Sequence, residues 1–514
     1  MGRIQNSIRR FAREEDGTIL VFFGMSLVVV LGLVALSFDL GRLGSTRSEL
    51  QSFADSVALA AAGELDGNSD AITRANAAAQ LIVDSQTFAT GSQVLGAAND
   101  VTLTYLSALP DSDSDATNAV TTDPAKAAFV RVDVDEREVQ GVFAAAFTTM
   151  GGYDAFDGSA TAQAVAGLEI LACDVTPLMF CVPPGFDAEK DIGQMILLRA
   201  GGNDAAWGPG DFGFLDPDKA KVDVNGPCAG LSGGPLDMCL LGAVSKITQC
   251  FNSRGVDLEP GQKVGVNAAV LNVRFDIYEA AAGAGSENSA NSWENDPNFA
   301  PAPNVVMGKR VRTPGNSSNS SSTANCGYED YPEDEELTVG LPRDDCFVSG
   351  AAEPCTRFGD GDWSQGRITY MQKNYGIDIT TEGAPDPFAD AKTRYELYLA
   401  EIEHANGGAI LSDRPESGLP RCASSSAPNP DRRVLVVAGI DCSASTGTEI
   451  RGAAKEVPVK EFVKIFLTEP VGADSKDTGG AKSIWGEVIG SASNGDQEEL
   501  GTGGMVRDVV QLYR

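Results

Sequence analysis

An apolar segment near the N-terminus is the feature that most constrains this chain. Residues 18–38, with the sequence TILVFFGMSLVVVLGLVALSF, contain no charged side chain. A helix rises about 1.5 Å per residue, so these 21 residues are just long enough to span the hydrocarbon core of a bilayer. The sequence therefore predicts a single N-terminal transmembrane helix at residues 18–38.

The charges that flank this segment predict its orientation. Asp39 follows it, and four arginines precede it: Arg3, Arg9, Arg10 and Arg13. Positive charge stays on the cytoplasmic side, so residues 1–17 are predicted to be cytoplasmic and the rest to be translocated. Residues 35–37 also have the small-x-small form of a signal-peptidase site. An anchor is favoured over a cleaved signal peptide, because cleavable apolar regions are shorter and the helical pattern here continues.

Residues 41–65 extend that helical pattern beyond the apolar segment. Two rows of residues seven apart run along it: Leu43, Leu50 and Val57, and beside them Thr46, Phe53 and Ala60. Such a stripe either rests on the protein's own strands or forms a seam with a second copy. Packing on the protein's own strands is favoured, and self-association through the helix after residue 39 remains the alternative.

Charge and cysteine content limit the classes of function. The chain of 514 residues has 39 Lys and Arg against 72 Asp and Glu, a net charge of −33, which argues against a nucleic-acid partner. There is no Cys-x-x-Cys pair, and His404 is the only histidine, so disulfides in an oxidising compartment are favoured over a zinc site. The pairing stays open among the ten cysteines: Cys173, Cys181, Cys228, Cys239, Cys250, Cys326, Cys346, Cys355, Cys422 and Cys442.

Two regions follow the apolar segment, and together they predict an α+β protein. Residues 39–167 read as a small membrane-proximal α+β domain, with a second helix at 72–83 and strands at 101–105, 128–134 and 160–166. Cysteine and proline become frequent afterwards, so residues 168–514 are predicted to form a larger mixed α/β domain with disulfides. Its predicted helices are 236–250 and 387–404, and its predicted strands are 263–277, 433–440, 462–467 and 506–512.

The N-terminal residues resemble a known family. Glu15-Asp16-Gly17 leads into the apolar segment, and LQSFADSVALAAA follows at residues 50–62. This arrangement resembles the N-terminal domain of TadG-like proteins, which are associated with the assembly of Flp, or tight-adherence, pili. Related minor pilins carry a Glu five residues after the processed glycine, whereas Phe22 occupies that position here. The departure favours an unprocessed protein that stays in the membrane.

The resemblance implies a function and a location. A TadG-like protein is expected to be a non-enzymatic component of pilus assembly or surface adhesion. It is expected in the bacterial inner membrane, with a cytoplasmic N-terminus, a periplasmic C-terminal domain, and pilus-assembly or envelope proteins as partners.

Two short patterns resemble metal-binding loops of von Willebrand factor A domains, which some TadG-like proteins carry. In the first, Asp174 and Thr176 follow an apolar strand, but Leu178 occupies the position of the second hydroxyl and cannot coordinate Mg²⁺. In the second, residues 441–445 (DCSAS) match the pattern, but only about 70 residues follow, too few to complete such a domain. A metal-dependent adhesion module is therefore an alternative only, and Cys442 is expected to be a disulfide partner.

Two further patterns could indicate enzymatic or calcium chemistry. Residues 230–234 (GLSGG) satisfy the nucleophile-elbow expression, so a periplasmic hydrolase using Ser232 and His404 is a second alternative. A loop is favoured, because such patterns arise by chance in a glycine-rich chain. Residues 111–115 (DSDSD) resemble the start of a calcium loop, but Ala116 and Thr122 stand where Gly and Glu are needed. No catalytic, cofactor-binding or metal-binding residue is predicted, and the chain is not expected to be an enzyme.

Overall fold

The computed structural model divides the chain into two compact units, Met1–Glu169 together with Asp508–Arg514, and Ile170–Arg507. The last seven residues thus belong to the first unit, not to the larger one in which the sequence analysis placed them. The structure describes residues 18–84, 94–109, 119–143, 157–173, 175–200, 208–216, 226–244, 250–252, 255–259, 269–278, 290–308, 310–311, 326, 328–329, 338–348, 350–412, 414–442, 450, 454–455, 457–472, 483–492 and 505–513.

The first unit is built on one long helix, α1, which runs from Thr18 to Ala62. The predicted continuation of the apolar helix is therefore confirmed. A second helix follows, and then short elements lead into a sheet. These elements are α2 (Ala71–Gln80), β1 (Val83–Asp84), β2 (Leu95–Gly96), α3 (Ala97–Asp100), β3 (Val101–Leu106), β4 (Phe129–Gln140) and β5 (Asp157–Cys173). The strands β3, β4 and β5 are antiparallel neighbours, which confirms the three strands predicted for this region.

The second half of α1 is amphipathic, and its apolar face packs against β4 and α2. Leu50, Phe53 and Val57 are each at most 1 % exposed, and their spacing follows the helical period. This is the stripe for which a seam with a second copy remained an alternative. The protein's own sheet covers it, which is the packing that the sequence analysis favoured. Self-association through the helix after residue 39 stays a prediction.

The second unit is centred on a closed barrel. In chain order its elements are β6 (Leu178–Cys181), β7 (Met195–Ala200), β8 (Asp211–Phe214), α4 (Gly233–Gly242), β9 (Cys250–Asn252), β10 (Arg310–Val311), β11 (Tyr328–Glu329), α5 (Ser364–Tyr370), α6 (Arg394–Ala405), β12 (Val434–Ile440), β13 (Glu461–Leu467) and β14 (Ser483–Ser491). Six of these strands close in the order β12-β13-β14-β7-β8-β6. The pairs β12 with β6 and β7 with β8 are parallel, and the others are antiparallel.

Successive side chains of the barrel strands point to opposite faces, and this alternation explains how the core of the barrel forms. Val463 and Ile465 on β13 belong to the main apolar cluster, whereas Phe462 and Phe466, on either side of this pair, belong to other clusters. Both faces of these strands are thus covered, which is why they contain almost no exposed residue.

The sequence analysis was wrong about several elements of this unit. A mostly antiparallel barrel does not match the parallel central sheet of a von Willebrand A-like domain. The predicted strand at 263–277 is a 3₁₀ helix at Leu271–Phe275 in its described part, and Asp276 after it has a φ of 66°. The helix predicted at 236–250 ends at Gly242, and Cys250 begins β9. The helix predicted from Pro387 begins at Arg394, because Thr393 and Glu396 form a capping box there.

The C-terminal strand β15 (Met505–Leu512) returns to the first unit as the neighbour of β5. Next to it, the Tyr513 N–H donates to the carbonyl of Val165 at 2.8 Å. The strands predicted at 433–440, 462–467 and 506–512 are thus confirmed as β12, β13 and β15.

Disulfides cross-link the second unit, as the cysteine distribution predicted. Among the residues whose side chains the structure describes, four disulfides are present: Cys181–Cys442, Cys228–Cys239, Cys326–Cys422 and Cys346–Cys355. The first joins the ends of the parallel strands β6 and β12. The backbone register also pairs Cys173 with Cys250.

A buried arginine attaches α6 to the barrel. Arg394 forms ion pairs with Asp344 and, at 2.9 Å, with Glu487 of β14, and all three side chains are fully buried. Glu487 also accepts the backbone N–H of Tyr395, at 2.8 Å, from the first turn of α6. The Asp344 carboxylate accepts the N–H of Met195 on β7 at 3.1 Å. One guanidinium therefore links a helix to two barrel strands.

We expect Arg394→Gln to lower the free energy of unfolding by about 3–5 kcal/mol, because it leaves two buried carboxylates without their cation. Urea denaturation of the oxidised full-length protein measures this change. Lys190→Gln is the matched control, since Lys190 pairs with Asp187 at the surface with 81 % of its side chain exposed. The control should have a much smaller effect, because water and salt screen an exposed ion pair. Equal effects of the two substitutions would contradict the assigned role of Arg394.

Candidate functional site

The surroundings of α1 change at Asp39. Before it, apolar side chains of the helix are exposed, among them Phe22 at 69 %, Leu33 at 61 % and Phe38 at 56 %. By length and composition, the described part of the chain contains one helix able to cross a membrane, and its most apolar window is only 6 % buried. An apolar surface of this extent on a folded protein marks a contact with a membrane or a partner.

A buried carboxylate marks the point at which the helix leaves the apolar segment. Asp39 is 6 % exposed and accepts the N–H of Val142 at 3.0 Å and the N–H of Phe143 at 3.2 Å. The Phe38 ring packs edge-on against Phe143, with ring centroids 5.2 Å apart. Backbone donors thus satisfy a charge that would otherwise be costly to bury. The segment after β4 is fixed to the helix at this point.

An open cavity of about 840 Å³ lies beside this contact, and we call it the exit groove. It is lined by Val30, Leu33, Val34, Ser37, Phe38, Gly41, Arg42, Ser45 and Val142. Apart from Ser37, its wall within the apolar segment is hydrocarbon, and Arg42 and Ser45 lie beyond that segment. A side chain at Gly41 would meet no atom within 4 Å, so the groove is open along the helix.

The region that contains α1 and the exit groove matches a known protein family. Residues 17–64 match the family model of TadE/G-like proteins of Flp pilus assembly. The chain carries a TadE/G-like pilus-assembly domain. The match covers α1 with Asp39 and every residue of the exit groove except Val142. The resemblance identified from the sequence is thereby confirmed. No curated protein and no solved structure matches the chain.

The residues of the hydrolase alternative lie in different surroundings. Ser232 is exposed at the N-terminus of α4, and its hydroxyl forms no capping bond there. His404 is exposed near the end of α6, where its ring packs edge-on against Phe388 at 5.5 Å between centroids. Within the described residues, no hydrogen bond joins Ser232 to His404. The pattern at residues 230–234 runs into a helix that begins at Gly233, which the loop interpretation missed.

The candidate metal loops are only partly described. Asp174, residues 111–115 and residues 443–445 lie outside the described residues. Thr176 is buried, and its backbone N–H donates to Val436 at 2.9 Å. Cys442 is bonded to Cys181, as expected.

One group with metal-site spacing occurs in the described parts of the chain: Cys346, Cys355 and Asp360. The two sulfur atoms are bonded to each other, so neither is a thiolate that could bind a metal.

A buried acid that the sequence did not single out lies in the second unit. Glu401 of α6 accepts the hydroxyls of Tyr370 and Tyr375, each at 2.7 Å, and the amide of Asn304 at 3.3 Å. Burial raises the pKa of Glu401 to about 7, although the hydrogen bonds from both tyrosines lower it. None of these three partners of the Glu401 carboxyl is an exposed residue. We therefore interpret the cluster as part of the packing of α6.

The raised pKa predicts how stability depends on pH. The folded state holds the Glu401 proton more tightly than the unfolded state, whose pKa is near 4.5. The contribution to stability is thus complete below pH 4.5 and is lost as the pH rises to about 7. The free energy of unfolding should fall over this range by an amount on the order of 3 kcal/mol. Comparing Glu401→Gln with the wild type in urea at pH 5 and pH 8 measures it, and identical pH slopes would refute the effect.

We expect Asp39→Ala to loosen the segment after β4, because the amides of Val142 and Phe143 lose their charged acceptor. Hydrogen exchange of these two amides in detergent solution should accelerate about tenfold or more. Asp39→Asn keeps one acceptor oxygen and should have a smaller effect. Ser48→Ala on the exposed face of α1 is the control. Unchanged exchange in Asp39→Ala would show that the hydrogen bonds do not hold this segment.

Proposed function

We propose that this protein is a membrane-anchored, non-enzymatic component of the assembly of Flp, or tight-adherence, pili. The observation that carries the proposal is the coincidence of the family match at residues 17–64 with the exposed apolar helix. The same residues thus provide both the membrane segment and the relation to the pilus system.

The anchor lies in the bacterial inner membrane, with residues 1–17 in the cytoplasm and the two units in the periplasm. Four arginines before the segment support this orientation. The disulfides of the second unit support an oxidising compartment, because disulfides are rare in the cytosol. The lipid bilayer is one partner, and pilus-assembly or envelope proteins contact the periplasmic units.

The protein remains in the membrane and does not leave it as a fibre subunit. Phe22 stands five residues after Gly17, where related minor pilins carry the glutamate that accompanies processing. The apolar segment 18–38 contains no charged residue, so it gains nothing from leaving the bilayer to find a partner for one. The exposed apolar surface of α1 is satisfied by lipid.

We expect membrane retention to be required for pilus assembly. In a strain lacking this gene, the full-length chain should restore surface pili, as counted by electron microscopy. A version that carries a cleavable signal peptide in place of residues 1–38 should be exported but should restore none. The matched control replaces residues 18–38 with an unrelated apolar span of equal length, and it should restore pili at least in part. Piliation that does not depend on the gene would contradict the pilus assignment, and restoration by the soluble version would contradict the anchor.

A further inference from the structure

A short segment after β4 lies beside the end of the apolar part of α1. In this segment the Phe143 ring packs against Phe38, with 5.2 Å between the ring centroids. Phe38 is the last residue of the apolar segment, and Asp39 is the first charged residue after it. A charge is costly inside hydrocarbon, so Phe38 lies at the boundary of the bilayer core when α1 spans a membrane. The contact therefore places Phe143 at this boundary.

The side chains of this segment are apolar and exposed. Val142 is 56 % exposed and Phe143 is 42 % exposed. Val142 lines the exit groove together with Val30, Leu33 and Val34 of the apolar segment. The exposed surface of the segment after β4 is thus continuous with the exposed apolar surface of α1. The sequence contains no charged residue from 139 to 153, so no neighbouring charge in the sequence opposes the burial of these side chains in an apolar medium.

The backbone of the segment after β4 is also suited to the edge of a bilayer. A backbone N–H that faces hydrocarbon is costly, because lipid offers no acceptor there. The N–H groups of Val142 and Phe143 donate to the Asp39 carboxylate, at 3.0 Å and 3.2 Å. Both donors are thus satisfied without water. Because their acceptor belongs to α1 itself, Val142 and Phe143 have a fixed level relative to the apolar segment.

We propose that Val142 and Phe143 form a second membrane contact, in which both side chains enter the boundary between headgroups and acyl chains. The contact lies in the leaflet that α1 leaves at Asp39, and Asp39 is the positioning residue. Lipid is the occupant because this surface continues the exposed apolar surface of α1 at the depth of the membrane boundary. Residues 39–49 contain two acidic residues and two arginines, so no excess charge selects a headgroup. This inference rests on the proposed function, because it requires α1 to span the membrane.

Quenching of tryptophan fluorescence by brominated lipid tests the second membrane contact. Full-length Val142→Trp is reconstituted in vesicles of phosphatidylcholine that carries bromine on its acyl chains, and the signal of the wild type with its four native tryptophans is subtracted. The tryptophan introduced at position 142 should lose most of its fluorescence relative to vesicles without bromine. Asp39→Ala in the same background should reduce this loss, whereas Ser48→Ala on the exposed face of α1 should not.

Val120→Trp is the matched control, because it introduces the same side chain at another exposed valine of the first unit. Val120 is 50 % exposed and bridges Leu106, which pairs with Phe129 at the start of β4. Val142 follows the other end of β4, a strand of 12 residues that spans roughly 40 Å. The tryptophan introduced at position 120 should therefore keep its fluorescence in brominated vesicles.

Two outcomes would overturn the second membrane contact: no loss of fluorescence in Val142→Trp, or an equal loss in Val120→Trp. A loss that Asp39→Ala leaves unchanged would overturn the role of Asp39 as the positioning residue. A loss that appears only when the protein is diluted in the lipid would instead assign this surface to a second copy of the chain.

Alkaline carbonate extraction of native membranes separates these failures from a failure of the anchor. A protein that stays in the pellet but shows no quenching at position 142 overturns only the second membrane contact. Release into the supernatant overturns the proposed anchor as well.

Discussion

The structure depends on one continuous helix, α1, whose two parts require different surroundings. The first part of α1 carries exposed apolar side chains on all sides, whereas the part after Asp39 buries a single face on its own sheet. A helix can be apolar all round only in lipid or in a protein core, and a one-sided stripe requires a sheet or another helix. Asp39 lies at the boundary, where backbone donors of Val142 and Phe143 bind its carboxylate. That contact sets the depth at which the folded part of the first unit meets the end of the apolar segment.

The second unit is stabilised in a different way. Its strands are short and its chain is rich in loops. Closing six strands into a barrel leaves no open edge among them. Disulfides then connect positions far apart in the sequence, such as Cys181 and Cys442 with a separation of 261 residues. The buried Arg394 adds a polar connection between α6 and two barrel strands. Under the proposed function, a stable unit of this kind would present a surface to other envelope proteins.

The part of the fold that the sequence predicted is the part specified by local patterns. The absence of charge in residues 18–38 and the period of Leu50, Phe53 and Val57 predicted both halves of α1. The strands of the first unit alternate over enough residues to be recognised. By contrast, β6 is only four residues long and buried on both faces, so it shows no alternation. Its partner β12 lies more than 250 residues away, and no local signal reports such a pairing.

The candidate site was predictable only in part for the same reason. The sequence indicated the membrane segment and its family, but the exit groove requires Val142, which joins Asp39 across 103 residues of sequence. The short patterns at Ser232 and Asp441 suggested chemistry because they match in composition. Ser232 instead precedes a helix whose surroundings do not include His404, and Cys442 forms a disulfide. A motif of three or four residues does not determine its neighbours in space, and these neighbours decide whether it can act.

The most direct test of the account is the topology of the full-length protein in intact spheroplasts. The account predicts that added protease digests the chain to a small N-terminal piece that stays with the membrane. It also predicts that the undigested protein migrates differently on reducing and non-reducing gels. Full protection from the protease would place the large units in the cytoplasm and contradict the account. Recovery of a soluble species that lacks residues 1–37 would contradict the anchor.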